Sequence, residues 1–227
     1  MAAEVITIDG PTSSGKNSVG FLLAQKLGYQ FIDSGMIYRA GCLKMIEQNI
    51  SPGDLEKILD IYRNLDVRFG NGNRWRMYLE EEDVTVKLHT PKISRLVPIV
   101  AAMSEVREIM RGIQRRIGER GKIVMGGRDI GSEIYPNAKY KFFLTATPEV
   151  RAQRRFKQLI KTNPSIKYGD VLKDMLDRDK LDMTREASPL RVPKDAITID
   201  NSHFNIEQTV EEMLKYIHNV IPAKAGI

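Results

Sequence analysis

Apolar and polar positions change period several times along this chain, and each change marks an element. Val5-Ile6-Thr7-Ile8 is a short apolar run of the length that forms a buried strand, and Val19-Gly20-Phe21-Leu22-Leu23-Ala24 continues into an amphipathic helix. Tyr29-Gln30-Phe31-Ile32-Asp33 reads as a second buried strand, followed by a helical pattern from Ser34 to about Gln48. Ser51-Pro52-Gly53-Asp54 is a turn whose aspartate can cap a helix over Leu55 to Arg63. The period then falls to two. Leu65 to Phe69 alternates apolar with charged residues, Gly70-Asn71-Gly72-Asn73 is a turn, and Trp75 to Leu79 and Val84 to Val86 read as two more strands. This stretch predicts a small antiparallel sheet inserted into an α/β core, bounded near Ala40 and Thr90.

From Val106 onward Ile109, Met110, Ile113 and Ile117 keep helical spacing, which leaves Arg107, Arg111 and Arg115 on other sides of the helix. Lys122 to Met125 is a strand ending in Gly126-Gly127, and Lys139 to Leu144 is another, with Thr147-Pro148-Glu149 as a helix start. Such strands suit an open parallel sheet, where ligands gather beyond the carboxyl ends. Arg151 to Arg191 is helical, strongly charged and interrupted at Asn163-Pro164, the composition of a mobile lid rather than of core. Ala196 to Asp200 supplies a last strand, Ile206 to His218 a closing helix, and a frayed tail is expected from Pro222.

Between the first strand and the first helix lies Gly10-Pro11-Thr12-Ser13-Ser14-Gly15-Lys16-Asn17-Ser18. Glycines allow the backbone to curl so that successive N–H groups point inward, the helix N-terminus adds partial positive charge, and Lys16 can reach β- and γ-phosphates. The expected ligand is a nucleoside triphosphate. The hydroxyl that such a loop offers to magnesium comes one place later than the strict spacing, at Ser18 rather than at Asn17. Phosphoryl transfer needs in-line positioning and cations more than covalent participation by the protein. Arg128, Arg154, Arg155, Arg178 and Arg185, from the lid or its approaches, are candidates to grip phosphates as the lid closes.

Composition narrows the classes. A chain of 227 residues that is 42% hydrophobic can bury one sizeable core. It has no apolar run long enough to cross a bilayer and no signal-peptide pattern, so a cytoplasmic protein without a membrane partner is expected. Cys42 is the sole cysteine, which excludes an internal disulfide and a cysteine metal cluster. A net charge of +6 fits free nucleotides as well as it fits nucleic acid. No aromatic-interleaved motif of an RNA-binding sheet is present, so nucleic acid is not expected as a partner.

The Asp33-Ser34-Gly35 turn with Tyr38-Arg39, the later Gly127-Arg128-Asp129-Ile130-Gly131, and Arg178-Asp179 with Asp182 and Arg185 resemble bacterial cytidylate kinases. The resemblance runs in order from about Ile6 to the final helix. It implies an α/β P-loop NTPase fold in three layers, with a parallel core sheet (1–39, 91–150 and 192–221), a monophosphate-binding antiparallel insert (about 40–90) and a helical lid (about 151–191). It implies γ-phosphoryl transfer from ATP to CMP or dCMP with Mg2+, with Lys16, Arg128, Arg154 and Arg178 catalytic; a monomer is expected, though the residues themselves leave the oligomeric state open. ATP would lie on Gly10 to Ser18 and Arg155. Ser34, Arg39 and Arg128 would hold the acceptor phosphate, Arg107 and Asp129 would face the pyrimidine, Asp182 would contact the ribose, and Tyr38 and Arg185 would also belong to the CMP site.

Three positions depart from the family pattern. Asn17 stands where a glycine is usual, Gly126 where an acidic residue precedes Gly-Arg-Asp, and Pro98 where a serine hydroxyl would face the base. Without an acid at 126, Asp9, Asp33 or Ser18 is left to organise the metal. A weakly active or silent nucleotide-binding protein, or a P-loop kinase of another small acceptor, would carry the same loop.

Overall fold

The computed structural model describes residues 4–70, 75–161 and 163–220. In chain order its elements are β1 (Val5–Asp9), α1 (Lys16–Leu27), β2 (Gln30–Asp33), α2 (Ser34–Glu47), α3 (Leu55–Arg63), β3 (Val67–Phe69), β4 (Met77–Leu79) and β5 (Glu82–Asp83). There follow α4 (Pro91–Ala101), α5 (Ser104–Gly118), β6 (Ile123–Gly127), β7 (Tyr140–Thr145), α6 (Pro148–Leu159), α7 (Tyr168–Thr184), β8 (Ile197–Asp200) and α8 (Ile206–Val220).

The core sheet is parallel throughout, in the order β2-β6-β1-β7-β8. Its central strand β1 is buried at every position, which is why its sequence is a continuous apolar run rather than an alternating one. Two apolar clusters fill the two sides of the sheet. One packs Ile6, Ile8 and Phe142 against Val19 and Leu23 of α1 and Val210 and Met213 of α8; the other packs Ile32 and Met125 against α2 to α5. The three-stranded sheet β3-β4-β5 joins this second cluster through Phe69, Met77 and Leu79.

Two glycines explain how closely the loop and its helix approach the sheet. At Gly10, φ is +150°, and a Cβ would stand 2.1 Å from the Leu144 carbonyl oxygen, so only glycine passes here. Gly20 presses α1 onto the sheet, with a Cβ there meeting Phe31 at 2.4 Å. Because Phe31 is itself buried, Gly20→Ala is expected to cost about 1–3 kcal/mol by overpacking, measured by urea denaturation.

The structure corrects the insert and adds a helix. Val84 to Val86 is not a strand: the chain reverses at Glu80, in left-handed conformation (φ +56°), so β5 begins at once and ends at Asp83. Thr85 then folds back, its hydroxyl on Asp83 at 2.6 Å and accepting from the Met77 N–H at 2.9 Å, and Val86 is 85% exposed. Helix α4 has clear local signals, since Thr90 caps the Ile93 N–H, Pro91 opens its first turn and Ile93, Val97, Val100 and Ala101 share its buried face. Pro98 inside it disguises the pattern, because proline supplies no N–H to the helix. Helix α2 runs unbroken through Ala40. The expected turn at 70–73 lies at 71–73 outside the described residues, as does the tail from Pro222.

Candidate active site

The phosphate loop curls between β1 and α1, with Gly15 at φ +96° entering the helix. Lys16 is 7% exposed and donates from Nζ to the carbonyls of Gly10 and Pro11, each at 2.7 Å, and to Ser14 Oγ at 3.3 Å. Burial first, and then the charge of Arg128, push its pKa well below the ordinary lysine value. An arriving phosphate supplies the counter-charge that this ammonium lacks. Thr12 is tied from three directions: its N–H donates to Asp179 Oδ1 (3.1 Å), its carbonyl accepts from Arg151 Nη1 (3.1 Å) and its hydroxyl accepts from Arg128 Nη2 (3.0 Å).

In front of the loop lies a cavity of about 490 Å3, walled by the N-termini of α1 and α2, by α4, by the end of β6 and by α6 and α7. At one end the Arg107 guanidinium is hydrogen-bonded to Asp129 and to the Ala101 carbonyl (3.1 Å), beside an apolar wall of Val97, Pro98 and Ala101. Arg107 also lies over the Tyr38 ring at 6.0 Å. In the middle, Arg39, Arg128, Arg155, Arg178 and Arg185 face the same space. Arg178 is pushed down to about 10, by burial first and then by Arg128. Burial likewise lowers Arg39, Arg155 and Arg185. Guanidinium groups that depress one another's charge are completed by anions, and Arg178 Nε, Arg107 Nε and Arg185 Nη2 have no hydrogen-bond partner among the described residues. Asp182 offsets part of this charge. Burial alone would raise it, but Arg128 at 2.8 Å, then Arg178 and Arg185, hold it below the ordinary carboxylate value.

The arrangement offers a triphosphate cradle at one end, a polar pair fit for a flat base at the other, and cations between. A family model for cytidylate kinase matches residues 6–219. The chain belongs to the cytidylate kinase family. It is 41% identical to the cytidylate kinase of Caldicellulosiruptor bescii, covering 95% of this chain and 96% of that one. It is 42% identical to that of Caldanaerobacter subterraneus (93% of each), and 37% identical to that of Clostridioides difficile (94% and 98%). A shikimate kinase from Bacteroides thetaiotaomicron, at 14% identity, superposes with a TM-score of 0.51 over 95% of this chain and 99% of that one, which shows a shared fold.

As a cytidylate kinase, the chain brings most of the expected site residues to the cavity: Thr12, Ser13, Gly15, Lys16, Asn17 and Ser18 from the loop, Ser34, Tyr38 and Arg39 from α2, and Arg107, Arg128, Asp129, Arg155, Arg178, Asp182 and Arg185. Gly10, Pro11 and Ser14 are buried beneath the loop surface. Arg154 is placed elsewhere. Its guanidinium holds Asn201 through the side-chain oxygen (2.9 Å) and the backbone carbonyl (2.8 Å), and does not line the cavity. Asn201 in turn donates to the Ser14 carbonyl at 3.0 Å, so Arg154 buttresses the loop from behind.

Sequence reasoning missed the work of Arg151, Asp179 and Asn201, and it missed His89 and Gln158 on the cavity wall. Asp179 sits inside the quoted Arg-Asp motif, which was the available signal; nothing local distinguishes Arg151 from its neighbours on α6. Among the described residues no cluster of three or more His, Cys, Asp or Glu could hold a metal alone. The donors present fit magnesium arriving with nucleotide phosphates, since that ion takes one or two carboxylates and keeps water. Ser18 and Asp33 both face the cavity. Asp9 does not: burial pushes its pKa up to about 7, against two backbone N–H bonds that lower it.

Proposed function

We propose that this chain transfers the γ-phosphoryl of ATP to CMP or dCMP, giving ADP and the corresponding diphosphate. The observation that carries the reading is the buried Arg107–Asp129 pair set across the cation cluster from Lys16. An acceptor phosphate oxygen attacks the γ-phosphorus, the bond to the β–γ bridging oxygen breaks, and ADP leaves with that electron pair. The acceptor is already anionic, so the protein's task is alignment and charge neutralisation. Lys16 and the loop N–H groups take the β- and γ-phosphates. Arg39 and Ser34 take the acceptor phosphate, and Arg128, Arg155 and Arg178 meet the charge between them. Ser18 and Asp33 would hold magnesium arriving with the nucleotide, and the ion would supply neutralisation of phosphate charge.

Asp129 accepting from the cytosine amine, beside Arg107 donating to the ring carbonyl, leaves buried polar groups unpaired when uracil enters. Pro98 contributes shape alone to the wall beside them. Asp129→Asn is therefore expected to lower the CMP-over-UMP ratio of kcat/KM about 10–100-fold, the equivalent of about 1.5–3 kcal/mol for a hydrogen bond to a charged group.

The direct test follows ADP formation from Mg·ATP against CMP, dCMP, UMP, AMP and GMP. Turnover confined to the cytidine nucleotides supports the reading; binding without product, or turnover with a different acceptor, defeats it. In this reading the protein works as a cytoplasmic monomer on free nucleotides. The arginines proposed for the site converge inside the cavity rather than along a nucleic-acid track. No described helix is long and apolar enough to cross a membrane.

A further inference from the structure

Three carboxylates line the cavity, and their partners differ. Asp129 is engaged by Arg107, and Asp182 by Arg128 at 2.8 Å and Arg185 at 3.5 Å. Asp33 makes no ion pair among the described residues. Its Oδ1 accepts the Gly35 N–H at 2.9 Å and its Oδ2 accepts the side-chain amide of Asn17 at 2.6 Å. Each carboxylate oxygen has a second lone pair, so both remain able to accept. Both oxygens of Asp33 thus meet neutral donors, at the end of β2 and within reach of the first turn of α1, where Ser18 adjoins Asn17. The other acid near the loop is spent: both Asp9 oxygens accept backbone N–H groups, from Ile130 at 2.8 Å and Gly131 at 2.7 Å.

The neighbouring strand supplies nothing that competes. Gly126 is the register partner of Asp33 and of Ile8, and it leaves the strand end without a side chain. A Cβ there would meet only ordinary contacts, 3.5 Å from the Phe31 ring and 3.9 Å from the Ile8 carbonyl oxygen. We propose that Asp33 is the carboxylate through which this chain organises magnesium, directly or through a metal-bound water, and that Asn17 is its positioning residue. An amide suits that task because it fixes the carboxylate rotamer without neutralising it. Glycine at 17 would leave the carboxylate held by the Gly35 N–H alone, and lysine would cancel the charge the metal needs.

This inference rests on the ATP-donor reading, and calorimetry on the full chain separates the two. ATP is titrated once with excess EDTA and once with Mg2+, and the ratio of the two dissociation constants gives the gain from metal. Asp33→Asn keeps an acceptor for the Gly35 N–H, so α2 remains capped. It is expected to cut the metal gain at least tenfold while metal-free ATP affinity moves less than threefold. Asn17→Gly, at an exposed position, should cut the gain about threefold, and adding Gly126→Asp should restore it by offering a second carboxylate at the same strand end. Retention of the full gain in Asp33→Asn overturns the proposal, as does an equal loss with and without Mg2+. If the wild-type chain takes up no ATP in either condition, the donor reading falls and this inference falls with it.

Discussion

Lys16→Ala is expected to lower kcat at least about 10²–10³-fold, the usual loss when one preorganised donor to the reacting charge is removed. The ammonium sits beneath the loop, buried and surrounded by carbonyl and hydroxyl oxygens, so its charge faces little screening from water. Charge spreading over the γ-phosphoryl oxygens meets that cation at low dielectric, where it is worth far more than at a surface. Core packing does not depend on it. The price is confined to the Gly10 and Pro11 carbonyls and the Ser14 hydroxyl, which lose a donor at a cost of about 1–3 kcal/mol. Steady-state kinetics beside a urea melt checks both halves: a variant that folds with wild-type kcat removes Lys16 from the chemistry.

What could be read in the sequence, and what could not, follows from how local each signal is. Strands β1, β6 and β7 were legible because a parallel strand covered on both faces is apolar along most of its length, and the edge strands β2 and β8 showed as shorter apolar runs. The loop was legible because its spacing is a backbone requirement, fixed at Gly10 by the Leu144 carbonyl. Helix α4 was obscured by one residue, Pro98, and β5 by a reversal at Glu80 that periodicity does not register. The arginines of α6 show the limit most clearly. Arg151, Arg154 and Arg155 lie within two turns of each other and look alike as sequence. The first clamps Thr12, the second holds Asn201, and only the third faces the cavity. Rotation of the helix about its axis decides this, and that rotation is set by contacts with residues far away in the chain.

Asp179→Ala is expected to destabilise the protein by about 3–5 kcal/mol, because it leaves the buried Arg151 cation without its carboxylate. The same substitution strips the Thr12 N–H of its acceptor, so ATP binding should weaken about tenfold through the loss of one charge-assisted bond that shapes the loop. A second variant separates the two effects. Arg151→Met combined with Asp179→Leu replaces the ion pair by apolar volume, an exchange that is often neutral or stabilising, so urea denaturation should return close to wild type. Thr12 would still lack two of its three ties, keeping only Arg128 on its hydroxyl, since Arg151 also donates to the Thr12 carbonyl. ATP affinity should therefore stay low in a protein whose stability has recovered. Recovery of both together would mean that α6 and α7 hold the fold alone and that the loop keeps its curl through Lys16 and Asn201.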